Sequence, residues 1–468
     1  MSDERIDFNQ NIMLSPDQFV VNITHSADSD GHASAMICKR FFRKVLVIAT
    51  NHGKHIDYRS IPYGAPVLIT DFSLPVNEMR ELMQTNPIIW IDHHQTYLQP
   101  EYEEFKHLDG YRSTRWAGCK LTWKFLYGES APVPKFIDYV SDYDTWTFEY
   151  PGSLEFHYGL ELYNIQPRYV SNVLSNKLFG DESFINAIVN MGARLIHFME
   201  QRNQILCKWN GFKTEAFGLK AVAMNIRHTN SKVIEPMVDD EHKLMLTYGY
   251  NSQIATFRVS AYTTDEEHID CSQLMKTLNG GGHKGAAGGQ AHLDELPFKP
   301  TPTPEPPVEE DYISQIVELA RQDPLIYKYL YREVSGVIRL CSWDGTFHGL
   351  QAFFVNNPLW DINAMYTTNM IAEYEIVVFW SMSASGWYRY RVYSLEKNHL
   401  TVEQLQERIP GSVIKGNAVW IYSLEPPENI PYTEPGQLNA VSYFKGNYVN
   451  YGGSREYAEQ TKENPTNN

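Results

Sequence analysis

The run Ile88-Ile89-Trp90-Ile91 is apolar and of strand length, and it ends in Asp92-His93-His94, one carboxylate and two adjacent imidazoles. Val67-Leu68-Ile69-Thr70-Asp71 has the same form, a short β-rich run closed by a carboxylate. So does Val20-Val21-Asn22-Ile23-Thr24, which leads into His25, Asp28, Asp30 and Gly31. In an open parallel sheet the side chains at the carboxyl ends of neighbouring strands converge on one crevice. Three such ends carrying Asp and His are a divalent-metal site by composition. Hard carboxylates mixed with imidazoles, without a thiolate, suit Mn²⁺, with Mg²⁺ as the alternative. A single Asp or His ending a strand is an ordinary cap or turn residue. Several such clusters together, including the acidic pair Asp142 and Asp144, are costly to place without a cation.

A second group lies downstream, in Asn279-Gly280-Gly281-Gly282-His283-Lys284-Gly285. Consecutive glycines let backbone N–H groups approach a phosphate, and a helix starting there would add its positive end. His283 and Lys284 supply donors, and Arg258 can fork onto a phosphate or carboxylate. These residues read as substrate-binding. A glycine run alone is more often a flexible turn; its companions Arg258 and His283 favour an anion site.

The elements that must hold these residues alternate strand and helix from about 17 to 180, which predicts parallel crossovers and a doubly wound α/β sheet. Strands are expected at Phe19 to Thr24, Val45 to Ala49, Pro66 to Thr70 and Ile88 to Ile91, and helices at His32 to Lys44, Val76 to Met83 and Ala117 to Tyr127. The spacing of Ile185, Ile188, Val189, Leu195, Ile196 and Met199 predicts one long helix over 182–209. The division expected is a metal-binding domain over 1–180, a connector helix over 181–211 and a smaller α/β substrate-binding domain over 212–296. A Pro-rich, extended linker over 297–310 follows.

Residues 311–425 read as a degenerate copy of the domain before the linker. Gly218-Leu219-Lys220-Ala221 finds its match in Gly349-Leu350-Gln351-Ala352, 131 residues further on, and Phe257-Arg258-Val259 in Tyr390-Arg391-Val392, 133 further on. The glycine run matches Gly411-Ser412-Val413-Ile414-Lys415-Gly416 at 131, with the triple glycine lost and Ile414 in place of His283. Anchors in register argue for duplication. The copy is expected to bind or dimerise without catalysis, and the tail over 426–468 to be an extended arm or disordered. The aromatic run from Phe379 to Arg391 could stack bases, but its alternate residues fit the core of a strand pair better, and Tyr143 and Trp146 are likewise read as packing.

Taken together, Asp92-His93-His94 at a strand end, His25-x-x-Asp28-x-Asp30-Gly31 upstream and the distal Gly-Gly-Gly-His resemble the DHH phosphoesterase superfamily. Its members include RecJ-type exonucleases, nano-RNases, cyclic-dinucleotide phosphodiesterases and family II pyrophosphatases, and the likeness covers roughly residues 18 to 295. The glycine element resembles that of the DHH-associated C-terminal domain. The resemblance implies two Mn²⁺ ions, one held by His25, Asp28 and Asp71. The other would be held by Asp30, Asp71, His93 and Asp142, with Asp71 bridging. His94 would face the scissile phosphate as donor or general acid, and Asp92 would orient an imidazole or stand behind the metal ligands. Asp144 competes with Asp142, which is preferred because it follows the apolar Phe136 to Val140 run directly. The glycine-bearing domain would close over the first and hold the substrate end, which puts the ligand in the cleft spanned by the long helix.

The implied activity is hydrolysis of short oligonucleotides by a two-metal-activated water, as in a nano-RNase or RecJ-like exonuclease, or of a cyclic dinucleotide with the same ligands. The reading from another class is a nucleotide-sequestering protein with a vestigial metal site. A formal charge of −16 leaves no extended basic stripe for gripping long nucleic acids, so short substrates fit better. Five scattered cysteines without a CxxC pair argue against a disulfide framework or structural zinc. No apolar segment has membrane-spanning length, and the polar start lacks the features of a secretory signal, so a cytoplasmic location is expected. The spare domain and tyrosine-rich tail are compatible with a homodimer.

Overall fold

The computed structural model describes residues 6–51, 54, 56–227, 230–252, 254–300, 302–305, 307, 311–330, 341–358, 374–395 and 400–427. Most of the tail expected over 426–468 therefore lies outside the described residues. The chain is α/β and divides into two compact units, one ending at Ile196 and the other beginning at His197.

The first unit is built on a four-stranded sheet. Its strands are β2 (Phe19–His25), β3 (Lys44–Thr50), β4 (Val67–Thr70) and β5 (Ile88–Ile91), in the order β3-β2-β4-β5 and all parallel. Alternate residues of these strands feed two separate cores. Val20, Leu68, Ile89 and Ile91 face one side, and Val21, Ile23, Val67, Ile69, Ile88 and Trp90 the other. A sheet apolar on both faces must be covered on both, which is why its strands read as continuous apolar runs. The first face is covered by α1 (Ser29–Phe41), α3 (Gly118–Tyr127) and α4 (Lys135–Asp144), and the second by α2 (Val76–Met83). A two-stranded ribbon of β1 (Asp7–Asn9) and β6 (Gly110–Arg112) flanks the sheet beside β5, through single bridges from Ile89 to Asp109 and from Asp92 to Arg112. Helices α5 (Ser153–Leu160) and α6 (Asn172–Gly180) precede α7 (Glu182–Asn210), the long helix, inside which the boundary between the units falls.

The second unit holds two six-stranded sheets of one design. The first contains β7 (Gly211–Ala216), β8 (Leu219–Asn225), β9 (Leu244–Asn251), β10 (Thr256–Thr263), β11 (Gly281–Gly282) and β12 (Ala286–Ala291). The second contains β13 (Ser342–Phe347), β14 (Leu350–Asn356), β15 (Ile376–Met382), β16 (Tyr388–Ser394), β17 (Val413–Lys415) and β18 (Ala418–Ser423). Their strand orders correspond throughout, β7-β8-β9-β10-β12-β11 and β13-β14-β15-β16-β18-β17. In each, the pair in second and third place is parallel and the rest antiparallel. The two sheets share one apolar core that runs from Phe212 to Val419.

At their centre Asn225 and Asn356, each the last residue of its strand, bond to each other. Asn356 Nδ2 donates to Asn225 Oδ1 at 2.9 Å, and Asn225 Nδ2 donates to Asn356 Oδ1 at 3.3 Å. Each also takes a backbone N–H from the opposite sheet, Tyr250 to Asn356 (2.8 Å) and Met382 to Asn225 (3.2 Å). The arrangement is close to a local two-fold. Among the described residues past 297, Phe298 is buried and the Thr303 carbonyl accepts from Trp387 Nε1 (3.0 Å).

Candidate metal centre

Three strand ends deliver the chemistry. His25 closes β2, Asp71 follows β4, and Asp92, His93 and His94 follow β5. Asp28 caps α1 by accepting the Gly31 N–H at 3.0 Å, and Asp30 sits in the first turn of that helix, fully buried. Both Asp30 oxygens are gripped by the start of α3, from Gly118 N–H and Cys119 N–H at 2.7 Å each. The N-terminal backbone of that helix thus favours an ionised Asp30 and fixes its aim.

Asp71 lies at the centre. Both of its oxygens are buried among the carboxylates and imidazoles of the cluster, and its backbone is left-handed at φ 52°. His93 Nε2 stands 3.2 Å from Asp71 Oδ1, 3.3 Å from Asp144 Oδ2 and 3.7 Å from Asp30 Oδ2. On the other side His25 Nδ1 is 2.7 Å from Asp28 Oδ2 and 3.9 Å from Asp71 Oδ2. His94 Nδ1 is 3.9 Å from Asp71 Oδ1. Three groups close enough to hold an ion result: His25, Asp28 and Asp71; Asp30, His93 and Asp144; and Asp71, His93 and His94.

Asp92 has another part. It is buried, and its Oδ1 accepts from the backbone N–H of His93 (2.8 Å), that of His94 (3.2 Å) and His94 Nδ1 (2.8 Å), while Ser73 Oγ donates to Oδ2. This fixes the orientation of the His94 ring and leaves Nε2 as its outward nitrogen.

The electrostatics are those of a crowded anionic pocket. Burial, then the charges of Asp71 and Asp144, hold the Asp30 carboxyl well above its ordinary range. Burial, then Asp28 and Asp144, do the same to Asp71. Burial alone would lower His93, but Asp30, Asp144 and Asp92 outweigh it and raise the imidazole. Burial likewise opposes ionisation of Asp28, but the His25 hydrogen bond and charge bring it down to about 2. Buried carboxylates driven to hold protons by one another are stabilised in their ionised form by a bound cation. The residues fit a divalent ion.

One expected ligand is displaced. Asp142 does not join the cluster; Asp144 does. The segment 135–144 is α4, and residues two apart on a helix face nearly opposite ways. Asp142 Oδ1 accepts from Thr147 Oγ1 (2.7 Å) and Glu149 N–H (2.8 Å), and Oδ2 from Tyr150 N–H (3.1 Å). Burial would raise it, but these bonds and one from Ser153 lower its pKa. Its carboxylate braces the loop after the helix. That loop carries two left-handed non-glycine residues, Trp146 (φ 57°) and Phe148 (φ 50°), each a strain of about 1–3 kcal/mol. Trp146, expected to pack, is 59% exposed, whereas Tyr143 does pack, stacked on His157 at 3.4 Å.

The downstream residues belong to the second unit. Arg258, His283 and Lys284 are all exposed. No helix starts at the glycine run; Gly281–Gly282 form β11 and pair with β12. A Cβ on Gly280 would lie 1.9 Å from the Gly288 carbonyl oxygen, so close strand packing already requires that glycine.

Among the described residues no helix is long and apolar enough to cross a membrane. No family model matches the chain. In sequence it is similar to the uncharacterized protein R106 of Acanthamoeba polyphaga mimivirus, 22% identical over 307 residues, 60% of this chain and 69% of that protein. Among solved structures it is similar to an uncharacterized protein from Helicobacter pylori G27, at 16% identity and a TM-score of 0.27, covering 67% of this chain and 99% of that one. It is also similar to PggH, a pGpG-specific phosphodiesterase from Vibrio, at 12% identity and a TM-score of 0.38, covering 59% and 94%. These likenesses are distant, and what the site can do is read from its own residues.

Proposed function

We propose that the chain is a divalent-metal-dependent phosphodiesterase acting on short oligonucleotides or dinucleotides. The observation that carries this reading is Asp71, a fully buried carboxylate that stands between a His25–Asp28 pair and a His93–Asp30–Asp144 group. That is the arrangement expected of a residue shared by two ions. His25, Asp28 and Asp71 would hold one, and Asp30, Asp71, His93 and Asp144 the other. A bound pair supplies positive charge for phosphate oxygens and a water acidified toward neutral pH. Mn²⁺ suits the mixed imidazole and carboxylate donors, and Mg²⁺ is the alternative.

The chain's own residues do the rest. Asp92 holds His94 with Nε2 directed outward, where it can donate to a phosphate oxygen or protonate a leaving alkoxide. The α3 backbone keeps Asp30 aimed, and Asp142 keeps the loop after α4 in place. The exposed Arg258, His283 and Lys284 are donors suited to a further anionic group.

The test is a substrate panel with Mn²⁺, covering pApA, longer oligonucleotides, cyclic dinucleotides and pyrophosphate, with EDTA as control. Turnover of pApA that is lost in EDTA and in Asp71→Asn is the expected result. Preference for a cyclic dinucleotide would move the substrate class within the same chemistry. Nucleotide binding without turnover would overturn hydrolysis in favour of sequestration.

A further inference from the structure

Trp146 and Phe148 follow Asp144 in the chain, and Asp144 is the carboxylate that faces His93. Both aromatic residues are exposed, by 59% and 39%, and both have left-handed backbones, which bulky residues rarely adopt. The loop is nevertheless firmly braced. Asp142 binds it through Thr147, Glu149 and Tyr150, and the Thr147 N–H donates to the Asp142 carbonyl at 3.1 Å. The rings meet edge-on, with Trp146 and Phe148 centroids 4.8 Å apart and Tyr143 and Trp146 5.3 Å apart. Tyr143 is anchored in turn by its stack on His157.

A strained, cross-braced loop that keeps large rings in water is a feature of binding sites more than of surfaces. The two exposed rings carry no charge, and Lys120, which stands against Tyr150, is paired with Asp138 at 2.8 Å, so this face of the loop is chiefly aromatic. It suits a flat, uncharged group attached to a phosphate bound nearby. We propose that Trp146 and Phe148 form the stacking platform for a nucleobase of the substrate whose phosphate the Asp71-centred cluster binds. The platform rests on the phosphodiesterase reading above, and makes the chain selective for base-bearing diesters. Aromatic stacking tolerates any base, so the platform chooses nucleotides over other phosphates without choosing a sequence.

The experiment compares pApA with a dinucleotide of the same backbone carrying tetrahydrofuran abasic units, both in Mn²⁺. Wild type is expected to favour pApA in KM. Trp146→Ala should raise KM for pApA about tenfold with kcat little changed, and leave the abasic analogue unaffected. Trp146→Phe should recover most of the loss, and Phe148→Ala should act in the same direction. Equal losses on both substrates, or no loss on pApA, would overturn the platform. A readout without turnover is calorimetric binding of AMP against ribose 5-phosphate, where wild type should prefer AMP and Trp146→Ala should lose that preference. If wild type hydrolyses neither diester yet keeps a Trp146-dependent preference for AMP, hydrolysis falls and the platform stands. Hydrolysis of both diesters with equal KM leaves hydrolysis standing and removes the platform.

Discussion

Asp142 and Asp144 lie two residues apart on α4 and have opposite fates. One is saturated by hydrogen bonds from its own loop, and the other turns to His93. Asp144→Asn is therefore expected to weaken Mn²⁺ binding and turnover by roughly 10- to 100-fold or more. Asp142→Asn should leave Mn²⁺ affinity nearly intact and cost about 1–3 kcal/mol of stability through unsatisfied loop donors. Metal titration beside thermal melting separates the two, and the reverse pattern would restore Asp142 as the ligand. His157 carries a pH dependence. Burial lowers its pKa to about 4, so in the folded chain it stays neutral where the unfolded chain is protonated. Its contribution to stability is therefore lost as pH falls from about 6.5 toward 4. His157→Phe should flatten that part of the melting-temperature profile, measured in EDTA.

At the scale of elements, helix α3 comes close enough to strand β4 that only glycine fits between them at the site. A Cβ on Gly118 would lie 2.6 Å from Asp71 Cβ, and one on Gly31 would lie 2.2 Å from the His25 carbonyl oxygen. Gly118→Ala is expected to cost about 1–3 kcal/mol by overpacking and to weaken Mn²⁺ binding with it. Gly180→Ala, with open space around it, is the control and should do neither. The three strand ends were legible because a parallel sheet covered on both faces writes its strands as apolar runs, and a carboxylate or imidazole ending each run is conspicuous. Phe136 to Val140 was not so legible. A short apolar run has no visible period, so nothing in it showed that Asp142, the residue expected as ligand, would turn into its own loop while Asp144 turns toward His93. Nor could the sequence show that Trp146 stays in water, since its exposure depends on a loop whose shape Asp142 imposes from the preceding turn.

At the scale of the whole molecule, the centre belongs to the first unit, while the second carries two sheets of one topology joined at Asn225 and Asn356. Asn225→Leu leaves Asn356 and the Met382 N–H with lost partners, and is expected to lower the stability of the second unit by about 1–3 kcal/mol without changing Mn²⁺ affinity. Calorimetry of the full chain with and without Mn²⁺ checks this. Metal at about a hundredfold over its dissociation constant should stabilise the unit holding the site by about 2.7 kcal/mol, in wild type and in Asn225→Leu alike. The most direct test of the shared-carboxylate centre is anomalous scattering from crystals grown with Mn²⁺. Two peaks about 3.5–4 Å apart are expected, with Asp71 between them, His25 and Asp28 on one and His93 and Asp144 on the other. Absence of manganese at Asp71, or a single peak bound elsewhere, would contradict it.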